Sequence, residues 1–313
     1  MSQTSPPRLL LWGVLTAGVS AISASAILIR LTDAPGISTA LFRTVISAVL
    51  MAIIAQLSVG SGWWKLTGRE KRICAVSGFF LAMHFWSWMT SLEYTTVASA
   101  VLFVTMNPIF VGLAAPVVTG DKLTPRLWGG IALAMVGSLV VGYDDLSQGP
   151  STSLLGNFLA LLGAICGSGY LLAGRLARKT VGLESYATFT NATAALCLLP
   201  IALIVGAPLW DLPPATYGMF LLIAIIPQLI GHNSLVWSLK HLSAPVVSLV
   251  ILAEPIGSGL LALIFFKEYP SGTKLLGAAI LLCGIFVASL TSKPSQDDPD
   301  DDLSLSNTPP SET

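Results

Sequence analysis

The chain of 313 residues is 54% hydrophobic and 10% charged, with a mean hydropathy of +0.78 and a formal net charge of zero. Soluble domains carry roughly 25% charged residues, so this composition indicates an integral membrane protein. The charges are balanced and form no basic stripe, so the sequence lacks the positive surface by which proteins bind nucleic acids. The four cysteines lie in apolar runs without metal-ligand spacing, which is typical of small core residues.

Apolar runs of about 20 residues recur along the chain, and each is long enough to cross a bilayer. Short connections rich in Gly, Pro and Asp separate them. They predict an all-α integral membrane protein with ten transmembrane helices, at residues 9–29, 37–57, 73–91, 96–118, 126–143, 153–173, 184–205, 215–237, 244–266 and 273–291. After Ser292 the composition changes to Asp, Ser and Pro, which is typical of a disordered segment.

The distribution of lysine and arginine predicts the orientation. With the N-terminus in the cytoplasm, twelve basic residues fall on the cytoplasmic side and three on the outside, in agreement with the positive-inside rule. The remaining basic residue, Arg43, lies within the second span. We therefore expect a multi-pass protein of the cell inner membrane with both termini in the cytoplasm.

An internal repeat organises the chain. A shift of 147 residues, without a gap, places His84–Val140 on Gly231–Val287. The identical pairs include Ser87/Ser234, Ser91/Ser238, Pro108/Pro255, Gly112/Gly259, Gly130/Gly277 and Gly137/Gly284. The sequence thus predicts a first five-helix repeat at 1–146, a second at 147–292, and a disordered acidic cytoplasmic tail at 293–313.

Five spans per half force the second half to enter the membrane in the opposite orientation, which makes the repeat an inverted one. Inverted repeats place a substrate site near the bilayer midplane and allow one half to rock against the other. The alternative is a duplicated scaffold without transport. The paired glycines of the fifth and tenth spans, Gly130/Gly137 and Gly277/Gly284, predict close helix packing.

Glu254 stands within the apolar run 245–266, roughly 14 to 18 Å from either end of a helix that rises 1.5 Å per residue. A carboxylate near the midplane is costly, and it predicts a functional site. The alternative is a structural Glu that bonds to a neighbouring helix. Pro255 leaves the carbonyl of Ile251 without its helical donor, so we expect a kink there and another at Pro108, where Asn107 replaces the acid.

Arg43 lies about 9 Å inside the outer end of the second span and needs partners. It could clamp a substrate carboxylate, pair with Glu254, or extend to the outer surface.

Polar and aromatic side chains in the third and eighth spans are further candidates for a cavity lining. His84 and Trp88 share one helix face, as do Gln228 and His232, and Asn233 follows directly. Two histidines and one carboxylate also make proton coupling possible. The alternative for each residue is a helix–helix hydrogen bond of about 0.6 kcal/mol.

Enzyme motifs are missing from the sequence, including G-x-S-x-G, H-E-x-x-H and the phosphate-binding loop of ATPases. We therefore expect neither an enzyme nor a cofactor or metal.

The chain resembles the EamA family of the drug/metabolite transporter superfamily. The resemblance is carried by His84-Phe85-x-Ser87-Trp88, by 91–100 with Asn107-Pro108, by Pro227-Gln228-x-x-Gly231-His232, and by Glu254-Pro255, Lys267-Glu268 and Arg43 in Leu41-Phe42-Arg43. It covers nearly all of residues 9–291. Asp121 stands where the family often has Glu, and the acidic tail has no counterpart in the family.

The resemblance implies a ten-helix inner-membrane carrier of two inverted repeats around a central cavity. It further implies a secondary transporter that exports amino acids or related small metabolites by alternating access. The alternatives are a non-transporting membrane receptor or scaffold, and an importer of similar solutes. The expected partners are a small-molecule substrate and the lipid bilayer.

Overall fold

The structure is a computed structural model, and it describes residues 6–95, 97–121, 123–148, 154–267, 269 and 271–289. The predicted tail at 293–313 lies outside these residues. Throughout the described ranges the regular structure is helical. The first repeat contains α1 (Arg8–Arg30), α2 (Gly36–Ser58), α3 (Gly68–Tyr94), α4 (Val97–Val104), α5 (Asn107–Val118) and α6 (Pro125–Gln148). The second contains α7 (Leu154–Ala177), α8 (Leu183–Ile204), α9 (Pro214–Ile223), a π-helical segment (Ala224–His232), α10 (Asn233–Ser238), α11 (Ala244–Ile251), α12 (Glu254–Phe266) and α13 (Gly272–Ser289).

Within the described ranges, seven helical segments are long and apolar enough to cross a membrane. They are Arg8–Arg30, Gly36–Ser58, Gly68–Tyr94, Leu154–Ala177, Leu183–Ile204, Pro214–Ser238 and Ala244–Phe265. Shorter apolar helices occur at Asn107–Val118 and Leu275–Val287. The protein is therefore an all-helical, multi-pass membrane protein, and the number of ten spans stays a prediction.

The helices are interrupted at equivalent points of the two repeats. α4 ends at Val104 and α5 begins at Asn107, while α11 ends at Ile251 and α12 begins at Glu254. These boundaries differ by 147 residues, the shift that aligns the repeat in the sequence. A proline follows each new helix start, at Pro108 and Pro255, where the missing N–H costs no helical bond. At both interruptions the backbone bonds tighten to the i to i−3 kind, from the N–H of Met106 to the carbonyl of Phe103 and from the N–H of Ala253 to the carbonyl of Val250.

The largest helix contacts join the two repeats. α3 packs against α7, α2 against α8, α1 against the π-helical segment, and α6 against α13. Each of these pairs takes one helix from either half. The core of the protein is therefore shared between the repeats.

Glycines set the closest of these approaches. A Cβ on Gly137 would lie 2.7 Å from the carbonyl oxygen of Gly277, and one on Gly284 would lie 2.8 Å from Cα of Ala134. Because real Cβ atoms are not found so close to backbone, only glycine permits this contact of α6 with α13. The predicted packing role is confirmed for Gly137 and Gly284.

Candidate functional site

A cavity of about 50 Å³ lies where the two helix interruptions face each other. Small-molecule sites usually enclose about 300–1,000 Å³, so the cavity is almost closed in this conformation. α1, α3, α7 and α10 complete its wall. The lining consists of Ile22, Ser25, His84, Trp88, Val104, Thr105, Asn107, Gly167, Tyr170, Leu171, His232, Leu235, Ile251 and Glu254.

The helix interruptions deliver Asn107 and Glu254 to this cavity as the first residues of α5 and α12. The aligned backbone dipoles of a helix favour a negative charge at its first turn. Glu254 is thus a carboxylate at a helix start, whereas Asn107 provides a neutral amide at the equivalent place. The amide oxygen of Asn107 is buried, and no residue in the described ranges gives it a hydrogen bond.

His84 and Trp88 of α3 form one aromatic wall, with stacked rings whose centroids are 6.2 Å apart. The Nδ1 atom of His84 lies 2.8 Å from the carbonyl oxygen of Gly163. Because a carbonyl only accepts, Nδ1 must donate its hydrogen; in a neutral ring Nε2 is then the acceptor. The indole nitrogen of Trp88 is a buried donor without a partner in the described structure.

His232 ends the π-helical segment and closes the opposite wall. Its ring packs edge-on against Phe85, at 5.4 Å, and lies 6.0 Å from the ring of Tyr170. Its Nδ1 is buried without a hydrogen-bond partner among the described residues. π-helical turns are rare in proteins as a whole. Where they do occur, they are often found at functional sites, because the wider turn redirects side chains.

Arg43 and Gln228 lie beside the cavity and form a hydrogen-bonded chain. The Nε of Arg43 donates to Oε1 of Gln228 at 2.7 Å, and Nε2 of Gln228 donates to Oδ1 of Asn191 at 3.0 Å. Nη1 of Arg43 donates to Ser25, a cavity residue, at 3.3 Å. The guanidinium also lies 4.1 Å from the ring centre of Phe85.

These hydrogen bonds fix the position of the Arg43 side chain. Arg43 is fully buried, so its side chain does not extend to the outer surface. It is close enough to Glu254 for electrostatic interaction, and its Nη2 is a buried nitrogen for which the described part of the chain supplies no hydrogen-bond partner.

The structure therefore places the predicted site residues in three different surroundings. Glu254, His84, Trp88 and His232 meet around the cavity, whereas Arg43 and Gln228 lie behind its wall. Asn233 turns away and donates through Nδ2 to the sulfur of Met51 on α2 at 3.3 Å. A role for any of them in binding stays a prediction.

Sequence reasoning missed Tyr170, Ser25, Thr105 and Asn191. Tyr170 follows Gly167-Ser168-Gly169 in α7, and an aromatic residue after so many small ones is the signal that could have found it. The other three are common polar residues within apolar runs, and only the three-dimensional packing distinguishes them.

A second polar cluster lies at the end of the bundle where α5, α7 and α10 finish and α11 begins. Asp121 accepts hydrogen bonds from Thr119 Oγ1 at 2.8 Å and from the backbone N–H of Ala244 at 3.2 Å. Its other oxygen lies 3.5 Å from Nη2 of Arg175, whose Nη1 donates to the carbonyl of Leu239 at 2.7 Å. Asp121 belongs to the first repeat and Arg175, Leu239 and Ala244 to the second, so this cluster ties the halves together.

These features define a class of protein: an all-helical membrane protein of two related halves, with a polar cavity at paired helix interruptions. The pattern of the EamA-like transporter family matches residues 8–143 and 154–290. The chain belongs to this family, and it is a multi-pass membrane protein of a transporter family.

Known relatives agree with this assignment. An uncharacterized transporter of Bacillus subtilis, YyaM, is 23% identical over 64% of this chain and 67% of its own length. An uncharacterized transporter of Archaeoglobus fulgidus is 23% identical over 71% of this chain and 77% of its own length. A second Bacillus subtilis relative, the uncharacterized transporter YwfM, is 24% identical over 79% of this chain and 82% of its own.

A solved crystal structure shares the fold. It covers 92% of this chain and 99% of its own, with a TM-score of 0.74 and 22% sequence identity. At this identity the likeness concerns the fold alone.

Proposed function

We propose that the protein is a secondary transporter that exports amino acids or related small metabolites across the inner membrane by alternating access. The observation that carries the proposal is a set of buried polar atoms at the central cavity that find no hydrogen-bond partner among the described residues: Nε1 of Trp88, Oδ1 of Asn107 and Nδ1 of His232. A buried polar atom without a partner costs about 1–3 kcal/mol. A bound solute that supplied the missing partners would offset that cost.

The chemistry of the lining fits a small zwitterionic solute. The carboxylate of Glu254 and the amide oxygen of Asn107 can accept hydrogen bonds from an ammonium group. The indole N–H of Trp88 can donate to a carboxylate, and the buried charge of Arg43 lies behind the same wall. The stacked rings of His84 and Trp88 offer an apolar face to a side chain.

Two features support alternating access. The cavity of about 50 Å³ is too small for a metabolite, so the protein must open before a solute can enter. The cluster around Asp121 ties the two halves at one end, which by the positive-inside distribution is the cytoplasmic end. Release of these contacts would let one half move relative to the other.

Export and proton coupling are the finer parts of the proposal. Export rests on the family resemblance, since inverted repeats carry no direction in themselves. Glu254, His84 and His232 are three titratable groups at one cavity and provide carriers for a coupled proton.

The test compares metabolites inside and outside cells that overproduce either the wild type or Glu254→Gln at equal membrane levels. We expect a solute to accumulate outside only with the wild type, because the neutral amide no longer balances an ammonium group. Glu184→Gln, in the first turn of α8 and away from the cavity, is the matched control and should export normally. Equal export by the Glu254 variant would assign this residue a structural role. Accumulation of the solute inside the cells that make the wild type would show import instead of export.

A further inference from the structure

A deep groove runs along the outer surface of the helix bundle between α3, α5 and α7. It encloses about 610 Å³, more than ten times the volume of the central cavity, and within the range of small-molecule sites. Its rim includes Val76, Leu113, Val118 and Ile165, which are large apolar residues that the protein leaves between 43% and 64% exposed. In a multi-pass membrane protein, such a face meets the hydrocarbon of the bilayer.

The shape of the groove follows from small residues on α5 and α7. Ala114, Ala173 and Gly169 line it, together with the ring of Phe80 from α3. A Cβ on Gly169 would lie 2.6 Å from Cδ1 of Phe80, so the bare glycine backbone is what lets this ring settle against α7. The small side chains leave a channel between the larger side chains of α3, α5 and α7.

The inner part of the groove, as its described lining residues show, has no spare O–H donor for a polar solute. Ser168 is its hydroxyl-bearing lining residue, and its Oγ already bonds to the carbonyls of Ala164 at 2.7 Å and Asn107 at 3.1 Å. The other side chains along this part are hydrocarbon. An apolar chain therefore fits the groove better than a water-soluble metabolite.

The length of the groove matches one leaflet of a membrane. Along α3 it extends from Arg72 to Phe80, about 12 Å at the helical rise, and along α7 from Leu176 to Ile165, about 16 Å. Half of the hydrocarbon core of a bilayer is about 15 Å thick. The groove thus runs from one membrane surface to about the midplane.

A cation stands at the surface end. Arg72 lines the groove at this end and is exposed. Its Nε donates to the carbonyl of Gly68 at 3.3 Å, and this hydrogen bond holds the side chain along the start of α3. Basic residues beside a membrane surface attract anionic lipid headgroups. The groove therefore combines a hydrocarbon channel of leaflet depth with a cationic group at its mouth.

We propose that this groove binds one phospholipid of the cytoplasmic leaflet, with an acyl chain along α3, α5 and α7 and the phosphate on Arg72. The leaflet is assigned from the positive-inside distribution of basic residues. The site does not depend on transport through the central cavity. It lies directly behind that cavity, since Ser168 lines the groove and its neighbour Gly167 lines the cavity.

Native mass spectrometry of the full-length protein tests the proposal. The protein is purified into micelles that contain equal amounts of phosphatidylglycerol, which is anionic, and phosphatidylethanolamine, which has no net charge. We expect one phospholipid per chain to remain bound, with phosphatidylglycerol preferred by about fivefold, which is the contribution of one basic residue at an anionic surface.

Two pairs of variants separate the parts of the site. Ala114→Trp fills the groove and should lose the retained lipid, whereas Leu57→Trp, on an exposed position of α2, should keep it. Arg72→Gln should keep the lipid and lose the headgroup preference. Arg69→Gln, an exposed neighbour outside the groove, should keep both.

Several results would overturn the proposal. The proposal fails if the wild type retains no lipid, or if Ala114→Trp retains as much lipid as the wild type. It also fails if Ala114→Trp and Leu57→Trp lose the lipid equally. A dimer that separates in Ala114→Trp would show that a second copy covers the groove. If Ala114→Trp does not fold, the comparison of Arg72→Gln with Arg69→Gln decides, and an unchanged headgroup preference refutes the site.

Discussion

Substitution of Asp121 by asparagine should open the cavity toward the cytoplasm. Asp121 holds the first repeat against the second through Ala244 and Arg175, and the side chains of Asp121 and Arg175 are only 10% and 8% exposed. Asparagine has nearly the same shape and keeps one acceptor for the N–H of Ala244. Its amide group, however, has no charge to offer the guanidinium of Arg175.

The magnitude follows from the contacts. A hydrogen bond to a charged group contributes about 1.5–3 kcal/mol, and the 3.5 Å separation from Arg175 is at the long end of the range. We therefore expect a loss of about 1–2 kcal/mol, which changes a conformational equilibrium by about 5- to 30-fold. The population open to the cytoplasm should increase by that factor while it remains the minor state.

Cysteine labelling measures this population. The four native cysteines are replaced by alanine, and Thr105→Cys places one thiol at the cavity. A membrane-impermeant maleimide then reaches it from the cytoplasmic side of inside-out vesicles. Labelling should be about 5- to 30-fold faster in Asp121→Asn, and unchanged in Asp33→Asn, an exposed residue between α1 and α2. Equal rates in Asp121→Asn and the parent would refute the role of this cluster as a closing contact.

Three further predictions concern stability. Gln228→Leu leaves the buried Nε of Arg43 without its partner, and we expect a loss of about 2–4 kcal/mol in the free energy of unfolding and a lower melting temperature. Gly137→Leu drives a side chain into the backbone at Leu281, and should lower the melting temperature by an amount that corresponds to about 3 kcal/mol or more. The pKa of His241, in the connection between α10 and α11, is lowered by burial and by nearby basic side chains. The unfolded chain therefore binds this proton more readily, so the melting temperature should fall between pH 7.5 and pH 5.5, and fall less in His241→Gln.

Each of these predictions has a contradicting result. Retention of the wild-type melting temperature by Gln228→Leu would show that Arg43 finds another partner, and Gln56→Leu on an exposed position is the control. A stable Gly137→Leu would mean that α6 and α13 are not in backbone contact, with Gly129→Leu, where a Cβ meets nothing within 4 Å, as the matched control. An identical pH dependence for His241→Gln and the wild type would exclude the histidine as the titrating group.

The helical fold could be predicted from the sequence because its signals are local. Apolar runs of membrane length give the helices, and the repeated Pro108 and Pro255 mark the places where two of them break. The glycine pairs predicted close helix packing for the same reason, since an approach of two backbones excludes every other residue type, but they did not predict that α6 and α13 would be the partners. The π-helical turn at Ala224–His232 was not predicted, since its sequence does not distinguish it from an α-helix with a proline.

The grouping of the candidate site could be predicted only in part. Glu254, His84, Trp88 and His232 are costly or bulky groups within apolar runs, and the structure brings them to one cavity. Asn233 has the same polar character, yet it faces Met51, because the direction of a side chain depends on the turns before it. Spacing along a helix gives a shared face, but it does not tell which neighbour that face meets.

The pairing of helices across the two repeats bears on how the protein is made. α1, α2, α3 and α6 all find their principal partners in the second half of the chain. A ribosome that has released only the first repeat into the bilayer has therefore delivered four helices whose partners do not yet exist. Arg43 likewise has no Gln228 to bond to at that stage, because Gln228 is synthesised 185 residues later. Assembly of the bundle thus becomes complete only after the second half has been inserted, and a chain cut between the repeats can regain its core only when both pieces are present in one membrane.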